Sequence, residues 1–178
     1  MTNEPARPSV LVVYESMFGN TAMVAEAIAA GLRAVGRRVE LRTASAAPTE
    51  LDGFDLVVVG GPTHAWSMSR SRTRAAARDQ GATNADDVGV REWLASVRRP
   101  TTTVRAASFD TRARSRFAGS AGRGILRRLR GLGMRGDQRF HAVVSGVSGP
   151  LAEGELERAR RWATTLPAAA SPAQRADR

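Results

Sequence analysis

Two short runs, Val10-Leu11-Val12-Val13-Tyr14 and Leu56-Val57-Val58-Val59, constrain this chain more than any other feature. Both are continuous, largely β-branched, and do not alternate with polar residues. Strands of that kind are covered on both faces, as in a parallel sheet lying between two layers of helix. The residues between and after them supply the helices. Val24, Ile28, Leu32 and Val35 recur at helical spacing and stop at Gly36. Val39 and Leu41 alternate with Arg38, Glu40 and Arg42, the pattern of an edge strand. Ser69 to Gln80 reads as a short helix capped by Ser69 or Ser71 and ended by Gly81, and Val90 to Val97 as another, packing Val90, Trp93, Leu94 and Val97. Phe54 to Gly60 and Thr102 to Phe109 are expected strands, the latter less apolar, followed by an Arg-rich loop from Asp110 to Ser120. Gly122 to Gly131 is an amphipathic helix with Ile125, Leu126 and Leu129 inward. Phe140 to Val147 is the last strand. Pro150 suits the start of a final helix, whose core stripe is Leu156, Ala159, Ala163 and Leu166, widened by Trp162. Strand–helix alternation of this kind gives a three-layer α/β sandwich with right-handed crossovers. One domain is expected over residues 9–166, with flexible tails at 1–8 and 167–178.

Composition narrows the chemistry. The chain has 178 residues and no cysteine, which excludes a disulfide framework, thiol catalysis and thiolate-held metal. With two histidines, a His-rich metal site is not expected either. No apolar run approaches the roughly 18 residues of a membrane span, and no secretory leader is evident at the N-terminus, so a cytoplasmic location is expected. The formal charge is +10, and every basic residue is arginine. Between Arg98 and Arg139 lie 12 arginines and two acids, Asp110 and Asp137, so the whole excess falls in that stretch. An Ala-rich, Lys-free composition fits a GC-rich coding sequence. That accounts for arginine over lysine but not for the clustering, which leaves either a basic functional face or a merely solvated one.

In doubly wound sheets, ligands bind beyond the carboxyl ends of the strands, where the winding reverses. Three loops are expected at that edge. The first, Ser16-Met17-Phe18-Gly19-Asn20-Thr21, leads into a helix N-terminus, whose free N–H groups and partial positive charge suit an anion. It lacks the Gly-Lys-Ser/Thr of a Walker loop. An ordinary helix cap by Asn20 or Thr21 would use the same residues. The second, Gly60-Gly61-Pro62-Thr63-His64-Ala65-Trp66, offers paired glycines that let a flat group approach the backbone, with His64 and Trp66 as face and polar edge. A lid or core aromatic and a loop-ordering histidine are the plainer alternatives. The third runs from Ser108 through Phe109, Asp110, Thr111 and Arg112 to Phe117 and Ser120.

The stretch Val13-Tyr14-Glu15-Ser16-Met17-Phe18-Gly19-Asn20-Thr21, followed by Ala25 and Ile28, resembles the flavodoxin signature at each of its fixed positions. The resemblance spans about Val10 to Leu166. Phe109-Asp110-Thr111-Arg112 and Gly149-Pro150-Leu151 through Leu156 also resemble segments of bacterial flavodoxin-domain proteins. It implies a flavodoxin-like five-stranded parallel sheet in the order 2-1-3-4-5, and FMN as cofactor. Ser16, Met17, Phe18, Gly19, Asn20 and Thr21 would hold the phosphate. Pro62, Thr63, His64, Ala65 and Trp66 would flank the isoalloxazine ring from one loop; Phe109, Asp110, Thr111 and Arg112 would do so from the other, where backbone groups would hold the pyrimidine edge. Many flavodoxins stack a tyrosine on the ring. Here no tyrosine follows Tyr14, so Phe117 or Trp66 would take that place. Phe18 stands where many members have threonine, which removes one phosphate hydroxyl.

No side chain is assigned as catalytic acid or base, because the flavin carries the redox chemistry. The expected role is electron transfer or a flavin oxidoreductase of quinone or porphyrinogen type. The partner would be a redox protein or a small-molecule acceptor, and the arginines favour an acidic one. Two other classes compete: a flavodoxin-fold scaffold without FMN, and a module that binds nucleic acid or another anionic partner through the Arg98–Arg139 face. The scarcity of aromatics in that face and the absence of a recognisable nucleic-acid motif argue against nucleic acid.

Overall fold

In the computed structural model, residues 9–64, 67–114, 119–146 and 148–167 are described. The strands are β1 (Ser9–Tyr14), β2 (Arg38–Thr43), β3 (Leu56–His64), β4 (Ser67–Met68), β5 (Arg105–Ala113) and β6 (Arg139–Val144). The helices are α1 (Asn20–Ala34), α2 (Ser71–Asp79), α3 (Val90–Ser96), α4 (Ala121–Gly131) and α5 (Glu155–Thr165). The sheet runs β2-β1-β3-β5-β6, all parallel. Without the short β4, that is the expected 2-1-3-4-5 order. In the register, Val12 of β1 sits between Leu41 of β2 and Val58 of β3.

The two continuous apolar runs behave as their composition requires. Successive side chains point to opposite faces, so each run feeds two cores. On one face Leu11, Val13, Val57 and Val59 meet Trp93 of α3 and Ile125 and Leu129 of α4. On the other, Val10, Val12, Leu56 and Val58 meet Val24 and Ile28 of α1 and Ala159 and Ala163 of α5. β2 alternates exposed and half-buried residues, as an edge strand does.

Several boundaries differ from the sequence reading, and four of them bear on the carboxyl edge of the sheet. β3 runs on through Gly60, Gly61 and Pro62 to His64 and folds back into β4, which pairs antiparallel with its end. β5 runs through Asp110 to Ala113, where a loop was expected, because Arg112 and Ala113 pair with Val143 and Val144. The last helix starts at Glu155 and not at Pro150. The Ser145 N–H donates to the Pro150 carbonyl and the Ala152 N–H to the Val143 carbonyl, so this backbone is already engaged with β6. β6 itself ends at Val144, short of the expected Val147, which lies outside the described residues. Leu156 and Val35, both placed on core stripes, are exposed. Glu155 takes the buried position in the first turn of α5 and pairs with Arg158. Trp162 stacks on Phe140 with ring centroids 5.4 Å apart. The expected tails, except Pro167, lie outside the described residues.

Candidate functional site

The carboxyl ends of β1, β3, β5 and β6 open on a cleft of about 240 Å³. Its walls are Ser16, Met17, Phe18, Asn20 and Thr21 from the β1–α1 turn, Pro62, Thr63 and His64 from β3, Thr111, Arg112 and Ala113 from β5, and Val144 and Gly146 beyond.

The β1–α1 turn is shaped by Gly19, which stands before α1 with φ +88°, a conformation glycine adopts without strain. The helix has no side-chain cap and no acid in its first turn. Its leading N–H groups and positive dipole end are therefore not neutralised by the chain. Ser16 is 6% exposed, and its Oγ has no hydrogen-bond partner among the described residues. A buried hydroxyl left unpaired is costly, and a bound acceptor would satisfy it. Thr21 Oγ1 and Thr111 Oγ1 are 2.8 Å apart and join α1 to β5. Asn20 Nδ2 donates to the Ser148 carbonyl at 2.7 Å, which holds the segment after β6 against this turn. Met17 is buried with Ala77 and Ala85, and Phe18 packs against the same cluster. An aromatic thus pins the turn to α2, in place of a hydroxyl facing a ligand.

Glu15 puts a carboxylate next to this anion-friendly turn, but both its oxygens are engaged elsewhere. The Ser69 hydroxyl donates to Oε1, and the Val90 N–H donates to Oε2 at 2.9 Å. Arg74, 0% exposed, donates to Ser69 Oγ at 2.9 Å and pairs with Glu92 at 3.0 Å. This buried network ties α2 and α3 to the end of β1 and offsets the Glu15 charge. The sequence reading missed it, because Arg74 sits among exposed arginines in a polar helix. Ser16 also borders a second cleft of about 240 Å³, but Glu15 and Asp86 line that one and would repel an anion. The first cleft has no acid in its wall and has Arg112.

The ring-side candidates divide. Pro62, Thr63, His64, Thr111 and Arg112 reach the cleft. Thr63 Oγ1 is occupied, accepting the Ala121 N–H at 3.0 Å. Burial pushes His64 below its ordinary value, and the Glu15 carboxylate partly opposes this. The neutral imidazole presents one donor and one acceptor. Phe109 is fully buried, and its ring fills the space over Gly60, where a Cβ would lie 2.3 Å from the ring. The glycine admits Phe109, not a ligand. Asp110 is 1% exposed and caps α4, with Oδ2 accepting the Ser120 hydroxyl at 2.6 Å and the Gly122 N–H at 2.9 Å. Neither Phe109 nor Asp110 lines the cleft. Ala65, Trp66 and Phe117 lie outside the described residues. Ala113, Val144 and Gly146 were not anticipated as walls. The signal was available, since in a parallel sheet every strand ends at the same edge.

Residues 11–78 match the flavodoxin domain family. No curated protein matches the chain. Among solved structures, a flavodoxin from the domain Archaea is 22% identical with a TM-score of 0.59, over 88% of this chain and 94% of that one. A flavodoxin of Streptococcus pneumonia TIGR4 is 16% identical with a TM-score of 0.62, over 87% and 94%. The flavodiiron protein from Giardia intestinalis is 23% identical with a TM-score of 0.57 over 89% of this chain, which spans 35% of that protein. The matched segment runs from β1 through the Ser16–Thr21 turn into α2, and the remaining elements complete the same five-stranded sandwich, so the chain has a flavodoxin-like fold whose first part is similar to the flavodoxin domain family.

Proposed function

We propose that the cleft binds FMN and that the protein works in electron transfer or as a flavin oxidoreductase. One observation carries this reading: the buried, unpartnered Ser16 hydroxyl at an uncapped helix N-terminus, in a cleft without acids. A phosphate monoester supplies the acceptors and the negative charge that this turn lacks. Ser16 and the N–H groups of Asn20 and Thr21 would hold the phosphate. His64, Thr111 and Arg112 would face the remainder of the cofactor. Bound FMN would supply one- and two-electron redox chemistry, which the chain's own residues do not offer. What the chain contributes is position and field. Neutral His64 gives a donor and an acceptor, and Arg112 places a positive charge at the wall. Reduction adds negative charge to a flavin, so arginines nearby favour the reduced form.

The test is a visible absorption spectrum of the purified protein, followed by titration of flavin-free protein with FMN and with riboflavin, read by quenching of flavin fluorescence. Tight, saturable quenching by FMN and much weaker quenching by riboflavin is the expected result. No quenching by either flavin would overturn the proposal.

A further inference from the structure

Beside the cleft lies a groove of about 260 Å³, bounded by Ser67, Ser120, Gly124, Arg112, Arg123 and Arg127. Arg112 lines both spaces, so the groove lies next to the candidate flavin site. Arg123 and Arg127 are four residues apart in α4, a spacing that places them on one helix face. None of the groove's residues is acidic. Among the described residues, no ion pair involves Arg112, Arg123 or Arg127, whereas Arg74, Arg78, Arg98 and Arg158 each have a carboxylate. Asp110, buried beside Ser120, accepts two hydrogen bonds through Oδ2, while Oδ1 is buried without a partner among the described residues.

The rim adds more charge of the same sign. Arg91 donates to the Met68 carbonyl at 2.9 Å and reaches Ser67 Oγ at 3.5 Å. Burial lowers its pKa, the like charges of Arg70 and Arg128 lower it further, and Glu92 and Glu15 oppose this. Arg112, Arg123 and Arg127 share a groove without a carboxylate in its wall; like charges so placed repel, and an anion relieves that repulsion. The walls between the arginines are small. A Cβ built on Gly124 would be in ordinary contact with Met68 Cε at 3.5 Å and Ser67 Oγ at 3.9 Å, so those two side chains floor the groove there. A concave space of this size with small side chains between guanidinium forks suits a small molecule better than the convex face of an acidic protein.

We propose that this groove binds the anionic group, carboxylate or phosphate, of a small organic molecule whose uncharged part extends past Arg112 towards the flavin cleft. The proposal rests on the FMN reading for its function, though not for its binding chemistry. It makes the arginine cluster a ligand-selecting feature rather than a solvated face.

The test uses the full chain, with and without FMN, titrated with citrate and with inorganic phosphate at constant ionic strength and followed by amide nitrogen–proton NMR. Saturable shifts at Ser67, Ser120 and Gly124 are expected. In an Arg123→Gln/Arg127→Gln variant the apparent affinity should fall at least about tenfold, with FMN affinity unchanged. Citrate saturating first would identify carboxylate as the preferred group; phosphate saturating first would identify phosphate. Unsaturated drift across all exposed arginines would overturn the groove, as would equal affinity in the variant. Failure of FMN binding alongside saturable citrate shifts would overturn the flavin reading and leave the anion groove standing.

Discussion

At the β1–α1 turn the chain leaves polar groups unspent, with Ser16 Oγ unpartnered and the first turn of α1 uncapped. At the ends of β3 and β5 the groups are mostly engaged within the chain, although Asp110 Oδ1 is buried without a partner among the described residues. Phe109 fills the space over Gly60, Asp110 caps α4, and Thr63 Oγ1 accepts the Ala121 N–H. The residues that resemble a ring-binding loop are therefore shared between cleft and core, while the β1–α1 turn keeps an unpaired hydroxyl and an uncapped helix end. Chemistry at the turn is a matter of local sequence. Chemistry at the strand ends depends on which face each residue takes.

The largest expected effect attacks the ring side of this contrast. Phe109→Ala should destabilise the fold by about 3–5 kcal/mol, the usual cost of emptying a large aromatic site. Urea unfolding of flavin-free protein measures it. Stability unchanged with flavin affinity reduced would make Phe109 a ligand contact and break the comparison.

A smaller effect comes from His64. Its folded pKa lies below its ordinary value because of burial, so the unfolded chain takes up a proton first as pH falls. The stability it contributes is fully present above about pH 6.5 and declines as pH drops towards the folded value, by at most about 1.4 kcal/mol per pH unit. His141, also shifted down, chiefly by burial and then by the Arg112 charge, acts with the same sign. Urea melts at pH 7.5 and 5.5 should show a smaller difference in His64→Gln than in the wild type. An equal difference would remove His64 as a source.

The smallest effect is electrostatic. A unit charge about 10 Å from the flavin at a water-like dielectric contributes about 0.4 kcal/mol, or about 20 mV for one electron. Arg112→Gln should make the flavin midpoint potential more negative by about that amount in a low-salt redox titration. A shift in the opposite direction would remove Arg112 from the field at the ring.

Much of this architecture was legible in the sequence because its signals are periodic and local. The β1 and β3 cores could come only from strands covered on both faces, and the Ser16–Thr21 turn carries its chemistry in adjacent residues. The ends of β3 and β5 were cut short because Gly60-Gly61 and Asp110 look like loop residues. Their roles, making room for Phe109 and capping α4, are set by elements distant in sequence. The Glu15–Ser69–Arg74–Glu92 network was illegible for the same reason, since its members come from the residue after β1, the residue after β4, α2 and α3. Leu156 shows the reverse error. Its spacing fits the core stripe, but α5 begins one residue before it, and Glu155 takes the buried position.

The central claim is that the Ser16–Thr21 turn holds a phosphate. The most direct measurement compares FMN and riboflavin affinities in the wild type and in Ser16→Ala. Hydrogen bonds to a charged group are worth about 1.5–3 kcal/mol, so FMN affinity should fall at least about tenfold. Riboflavin, which lacks the phosphate, should bind the two proteins alike. Equal losses for both flavins, or no loss for either, would contradict the account.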